Sequence, residues 1–158
     1  MKKFDYRLPY KKLDFAEKSI RQLYRIGRGE QGVLLVRPYT DDICKYWKFK
    51  TPKIAEKSAQ KIYEMYADYR VKNDFIGMDM CRKFLEMGFT RARRYANHKD
   101  GKKYNKDGTV KPQENDWATS DKAKSATIFK RYRDIVAKDS KYKAMRKHWR
   151  EFENTIGV

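Results

Sequence analysis

From Phe75 to Met87, apolar side chains fall on nearly every side of a helix: Phe75, Ile76, Met78, Met80, Cys81, Phe84, Leu85 and Met87. A helix that is apolar around most of its circumference cannot lie on a surface. This segment therefore predicts a helix, from about Asp74 to Met87, running through the middle of a fold and covered by others. Gly88 predicts its end, as the residue that turns left-handed after a last helical turn.

Covering elements are legible on both sides. Leu13 to Ile26 spaces Phe15, Ile20, Leu23 and Tyr24 at helical period. Thr51-Pro52 combines an N-cap with a first-turn proline and predicts a helix to about Tyr69, burying Ala55, Ala59, Ile62, Tyr66 and Tyr69. Thr90 predicts the cap of a further helix to about His98. Ser120 predicts another, burying Ala123, Ala126, Phe129, Tyr132 and Val136. A last helix carries Tyr142, Met145, Trp149, Phe152 and Ile156, and Gly157 ends it. Val33-Leu34-Leu35-Val36, halted by Pro38, predicts one short strand. The expected fold class is mainly α: a single compact helical domain over residues 1–158 with at most a small β element near residues 33–36. An extended N-terminal arm (1–12) and an exposed polar loop (about 99–118) complete the reading.

Composition bears on whether such a chain folds. Charged residues make up 38% and hydrophobic ones only 40%, a balance that leans toward disorder. The 3 Trp, 12 Tyr and 8 Phe reverse that inference, because large rings bury much area per residue. Cys44 and Cys81 form no metal spacing with His98 or His148 and are expected as buried thiols; no metal or cofactor is expected. No apolar leader follows Met1, and the longest aliphatic run is Val33–Val36, so no membrane span is expected.

The net charge is +18, and it is unevenly spread: Arg82 to Arg150 holds 21 Lys/Arg against 8 Asp/Glu. Such a field favours a polyanionic partner, DNA or RNA first and an acidic protein surface second. The competing reading is a skin of solvated lysines. On a helical wheel of Phe89 to His98, Phe89, Ala92 and Ala96 face the core. Arg91, Arg94 and His98 lie opposite, with Tyr95 at their edge, and Arg93 falls beside the buried stripe. Guanidinium forks and a ring on one exposed face suit phosphates and stacking. Lys99, Lys102 and Lys103 continue the pattern into the loop, and Lys130 and Arg133 flank a second basic, aromatic cluster. No recognition-helix, RRM, KH or zinc-finger pattern is present, so little sequence specificity is expected.

Gly27-x-Gly29-x-x-Gly32 matches the dinucleotide fingerprint by letters, but that chemistry needs a strand before the glycines and a helix after them. Here the predicted order is reversed, and a tight turn is the better reading. Arg25 and Arg28 make it a second candidate anion site, against a turn that is merely charged. An enzymatic alternative gathers Glu30, Asp79, Arg91, Arg94, Tyr95 and His98 in one pocket acting on a nucleotide or nucleic acid.

Three segments together, Tyr24-Arg25-Ile26-Gly27-Arg28-Gly29-Glu30-Gln31-Gly32-Val33-Leu34, Trp47-Lys48-Phe49-Lys50-Thr51-Pro52 and the run from Gly77 to His98, resemble a family of small proteins. That family is catalogued as a domain of unknown function, number 4385 in its series, with members in bacteria, fungi and tailed phages. The resemblance runs from the first helix to the Ile128-Phe129 helix, and the lysine-rich makeup is most like a phage member. It implies no activity, cofactor or catalytic residue. A cytoplasmic location is expected, in the host cytoplasm for a phage protein.

Overall fold

The computed structural model describes residues 3–155. A 3-10 turn at Tyr10–Lys12 precedes helices Lys18–Arg21 (α1), Tyr39–Cys44 (α2), Pro52–Val71 (α3), Phe75–Asn97 (α4), Asp121–Lys138 (α5) and Ser140–Thr155 (α6). The fold is mainly helical, as the periodicities predict. Among the described residues there is no strand, only an isolated bridge between Tyr104 and Val110. The expected end at Gly157 and the packing of Ile156 lie outside the described residues.

The all-round apolar segment is indeed central. Helix α4 packs against α2, α3, α5 and α6, and Ile76, Met78, Met80, Cys81, Phe84 and Leu85 are fully buried. Three caps are made, those at Thr51 and Ser120 as predicted. Thr51 accepts from the Ile54 N–H at 3.2 Å, Asp74 from Gly77 at 3.2 Å and Ser120 from Ala123 at 3.2 Å, each satisfying a donor that the helix start leaves orphaned.

Gly88 does not end the helix, which runs on to Asn97. The glycine serves close approach: a Cβ there would sit under 3.0 Å from the buried Phe129 ring of α5. Thr90, expected as a cap, is an interior residue whose hydroxyl donates to Glu30 at 2.7 Å. Cys81 is buried, whereas Cys44 is only half-buried; both are free thiols.

Residues 13–36 depart furthest from expectation. Only Lys18–Arg21 is α-helical, and Val33 to Val36 forms turns. Among the described residues no neighbouring strand pairs with Val33–Val36, and its backbone groups are satisfied locally. The Thr40 hydroxyl donates to the Val33 carbonyl and accepts from the Val36 N–H, both at 2.9 Å. Gly27, Gly29 and Gly32 all have positive φ (71°, 50° and 79°), as the tight-turn reading requires. The Phe4 ring occupies the place of a Gly32 side chain. Phe4 and Tyr10 are buried and stacked with centroids 5.7 Å apart. The N-terminal segment is thus folded over the glycine turn rather than extended as an arm.

That turn is held from outside by side chains of α4 and α6. Trp149 donates to the Tyr24 carbonyl at 3.0 Å, Arg150 to Gly27 at 2.9 Å and Arg82 to Gly29 at 2.7 Å. The buried Glu153 carboxylate accepts from the Ile26 N–H at 2.8 Å. From Tyr24 to Gly32 the chain is thus a docked strap, its carbonyls and the Ile26 amide bonded to α4 and α6 rather than continuing a helix from Leu13.

Candidate nucleic-acid interface

Past Gly88, α4 emerges from the core and presents a basic face. Arg91 and Arg94 are exposed, and Tyr95 is 40% exposed at the edge. Ala92 and Ala96 are buried beneath them, as the wheel predicts. Arg93 is half-buried, donates to the Trp117 carbonyl and lies 5.9 Å from the Trp117 ring. It anchors the polar loop. Arg93→Ala should therefore lower stability by about 1 kcal/mol, the net worth of one charged hydrogen bond with a cation–π contact. Arg94→Ala should stay within about 0.5 kcal/mol of the parent. Paired urea melts check this; equal losses would refute the asymmetry.

His98 is not on the exposed face. It is 8% exposed, because it is the C-cap of α4, where the backbone turns extended (φ −140°, ψ 114°) and leaves the wheel. The loop then folds back. The Gly101 N–H donates to the His98 carbonyl at 2.7 Å, and Gly101, at φ 73°, packs directly on the Tyr95 ring. Lys102 and Lys103 follow immediately, so loop cations sit beside Tyr95; Lys99, Lys102 and Lys103 are all exposed.

Tyr95 joins this face to a groove that the sequence reading missed. The connection between α2 and α3 brings Trp47, Lys48, Phe49 and Lys50 against Tyr95, Ile54 and Lys122 around a cavity of about 450 Å³. Phe49 and Tyr95 are 6.1 Å apart between ring centroids. Lys122 donates to the Lys50 carbonyl at 3.0 Å and lies 5.0 Å from the Phe49 ring. Burial, with Lys50 nearby, pushes its ammonium pKa down. Lys48 and Ile54 are shared with a second cavity of about 460 Å³ lined also by Lys45, Tyr46, Lys57, Ser58 and Lys61. The legible signal was local: Lys45 to Lys61 holds six lysines and one acid, with Tyr46, Trp47 and Phe49 interleaved. That acid, Glu56, is occupied by Arg131 at 2.8 Å and the Tyr132 hydroxyl at 2.9 Å.

Two other predicted contacts already have acidic partners within the protein. Arg133 pairs with Glu86 at 2.7 Å and Asp134 at 2.9 Å and lies 4.9 Å from the Phe89 ring. Lys130 pairs with Asp134 at 2.8 Å. Lys130 is exposed, as helical phase predicts, with its acid one turn further along α5, whereas Arg133 is half-buried because Glu86 of α4, which a wheel of α5 alone does not show, draws it in. At the glycine turn, Arg25 donates to the Gln22 and Tyr24 carbonyls, and the Arg28 N–H is taken by Gln31 at 2.7 Å. Arg28 keeps an exposed side chain, while the Ile26, Arg28 and Gln31 amides of the turn already have partners within the protein.

The pocket of Glu30, Asp79, Arg91, Arg94, Tyr95 and His98 does not form. Asp79 is fully buried and lies 12 residues before Arg91 on the same helix, about 18 Å along its axis. It accepts from the Tyr24 and Tyr142 hydroxyls and from Arg82 Nε at 2.9 Å, with Lys83 Nζ at 3.9 Å. Burial alone would raise its pKa; Arg82, Lys83 and the two hydroxyls outweigh that and hold it at about 2. Burial pushes Lys83 down to about 7. These groups tie α4 to α6 and to the glycine turn. Among the described residues, no group of three or more His, Cys, Asp or Glu is placed to hold a metal.

The chain matches the family described as domain of unknown function DUF4385 over residues 5–152, and it belongs to that family. No curated protein and no solved structure matches it. No helix among the described residues is long and apolar enough to cross a membrane.

Proposed function

We propose that this protein binds nucleic acid through backbone phosphates, with little preference for sequence. The observation that carries the reading is a set of exposed cations on either side of Tyr95. They are Arg91, Arg94 and the loop lysines Lys99, Lys102 and Lys103 on one side, and Lys48, Lys50, Lys57 and Lys61 on the other. Among the described residues none of these side chains forms a salt bridge. Six arginines elsewhere, Arg21, Arg70, Arg82, Arg131, Arg133 and Arg150, are paired with acids. Exposed arginines and lysines left without acids around aromatic rings favour a polyanion over general solvation. Phosphate contacts position a ligand without reading its bases. Binding of this kind fits a cytoplasmic protein, and a phage-encoded one would meet its ligand in the host cell.

Salt dependence is the test. A footprint of about 5 phosphates on duplex DNA should give a log–log slope of affinity against salt near −4 to −5. Removing Arg91 and Arg94 together should flatten the slope by roughly 1 to 2 and weaken all sequences alike. Titration by fluorescence anisotropy at several salt concentrations measures both. Absence of binding at low salt to every DNA and RNA tried would overturn the reading and leave an acidic protein surface as the partner.

A further inference from the structure

Phosphate contacts account for the lysines of the groove and leave its rings unused. Those rings are not spread at random. One cavity brings Trp47, Phe49 and Tyr95 together with Lys48, Lys50 and Lys122; the next sets Tyr46 among Lys45, Lys48, Lys57 and Lys61. The two meet at Lys48 and Ile54. Tyr46 and Tyr95 are 38% and 40% exposed, so neither ring is spent wholly on the core. Each cavity, at about 450 and 460 Å³, falls within the size range of clefts that take small molecules.

We propose that this groove binds single-stranded nucleic acid, one base entering beside Phe49 and Tyr95 and a second lying on Tyr46, with the backbone following the lysines between them. The proposal rests on the nucleic-acid reading above and narrows it to a strand whose bases are free. In a duplex the bases are stacked on one another and the rings have nothing to receive. In a single strand every base has a face to offer, and stacking on an aromatic side chain is strong and tolerant of sequence.

Ammonium groups already lie over these rings: Lys61 is 5.0 Å and Lys45 5.4 Å from the centre of Tyr46, and Lys122 is 5.0 Å from Phe49. At exposed sites a cation–π contact is weaker than base stacking. An arriving base therefore displaces Lys45 or Lys61 from Tyr46, and the released ammonium turns to the adjoining phosphate. Lys122 stays, since the Phe49 and Lys50 carbonyls also hold it. Base and phosphate are thus met by neighbouring groups of one short segment, Lys45 to Lys50.

The test compares labelled oligothymidylate and oligouridylate of about 12 nucleotides, a length within the usual range for such grooves, with a mixed-sequence duplex of equal length. Native protein should bind the single strands at least about 10-fold tighter than the duplex at the same salt. Tyr46→Ala, at an exposed ring, should weaken single-strand binding roughly 5-fold or more, within the range for loss of one stacked base. It should leave the duplex affinity and the salt slope unchanged. Phe49→Leu should act likewise; should it fail to fold, Tyr46→Ala decides alone. Equal affinity for duplex and single strand, or no effect of Tyr46→Ala on single-strand binding, overturns the inference while the phosphate reading stands. No binding to any of the three probes overturns both.

Discussion

Asp79→Ala should cost about 3–5 kcal/mol of folding stability, the penalty for leaving buried cations without their counter-charge. For a chain of this length that corresponds to a melting temperature lower by roughly 6–20 °C. The reason is the environment of the carboxylate. Arg82 and Lys83 are both taken from water, the Lys83 side chain wholly and the Arg82 side chain to 13% exposure, and Asp79 is the acid both of them face. Two tyrosine hydroxyls, from Tyr24 and Tyr142, lose their acceptor at the same time. Arg82 also donates to the Gly29 carbonyl, so the strap over α4 should loosen as well. The acid limb of the native protein is a second reading of the same site. A carboxylate with a folded pKa of about 2, against 3.8 for an ordinary aspartate, contributes stability fully present above about pH 4. That contribution disappears as pH falls through about 2. Asp79→Ala should lack this part of the acid dependence. Calorimetry and urea melts from pH 2 to 7 measure both effects, and a melting temperature within a few degrees of native at neutral pH would refute the hub.

The same hub marks where sequence reading stops. Apolar periodicity located α4 because Ile76, Met80, Phe84 and their neighbours repeat the signal at every turn. The caps Thr51 and Ser120 were legible because a cap acts within four residues. Asp79, Arg82 and Lys83 carry charges that a wheel assigns to solvent, and only the tertiary arrangement of Tyr24 and Tyr142 makes their burial tolerable. Arg133 illustrates the converse: it was placed outside by phase and is held by Glu86, 47 residues earlier. Leu13 to Ile26 has helical apolar spacing, but the glycines that follow turn the chain, and side chains of α4 and α6 bind the backbone from Tyr24 to Gly29 instead. Of the candidate interface, Arg91, Arg94 and Tyr95 were visible as a face of one helix. The groove was not, because it needs α2–α3, α4 and α5 together. Its lysines and rings are nonetheless consecutive between Lys45 and Lys50, and a count of unpaired charge with interleaved aromatics would have found them.

Phe129→Ala should be the costliest change in the interface between α4 and α5, and it should reverse the effect of a substitution at Gly88. Phe129 is fully buried, and its ring lies against the backbone of α4 at Gly88. Removing a buried aromatic ring of this kind costs about 3–5 kcal/mol. In the native background Gly88→Ala places a methyl under 3.0 Å from ring atoms that cannot leave a packed core. Overpacking of that sort typically costs about 1–3 kcal/mol. It exceeds or offsets the gain of up to about 1 kcal/mol that alanine brings to a helix interior. With Phe129 already truncated the clash is gone, and the same methyl both favours the helix and fills part of the cavity. Gly88→Ala/Phe129→Ala should therefore be more stable than Phe129→Ala alone, although Gly88→Ala by itself lowers stability. A double-mutant cycle from denaturant melts gives the coupling directly. Additive changes at the two positions would mean that Gly88 is not conserving space for the ring, and that the glycine in the middle of α4 has some other cause.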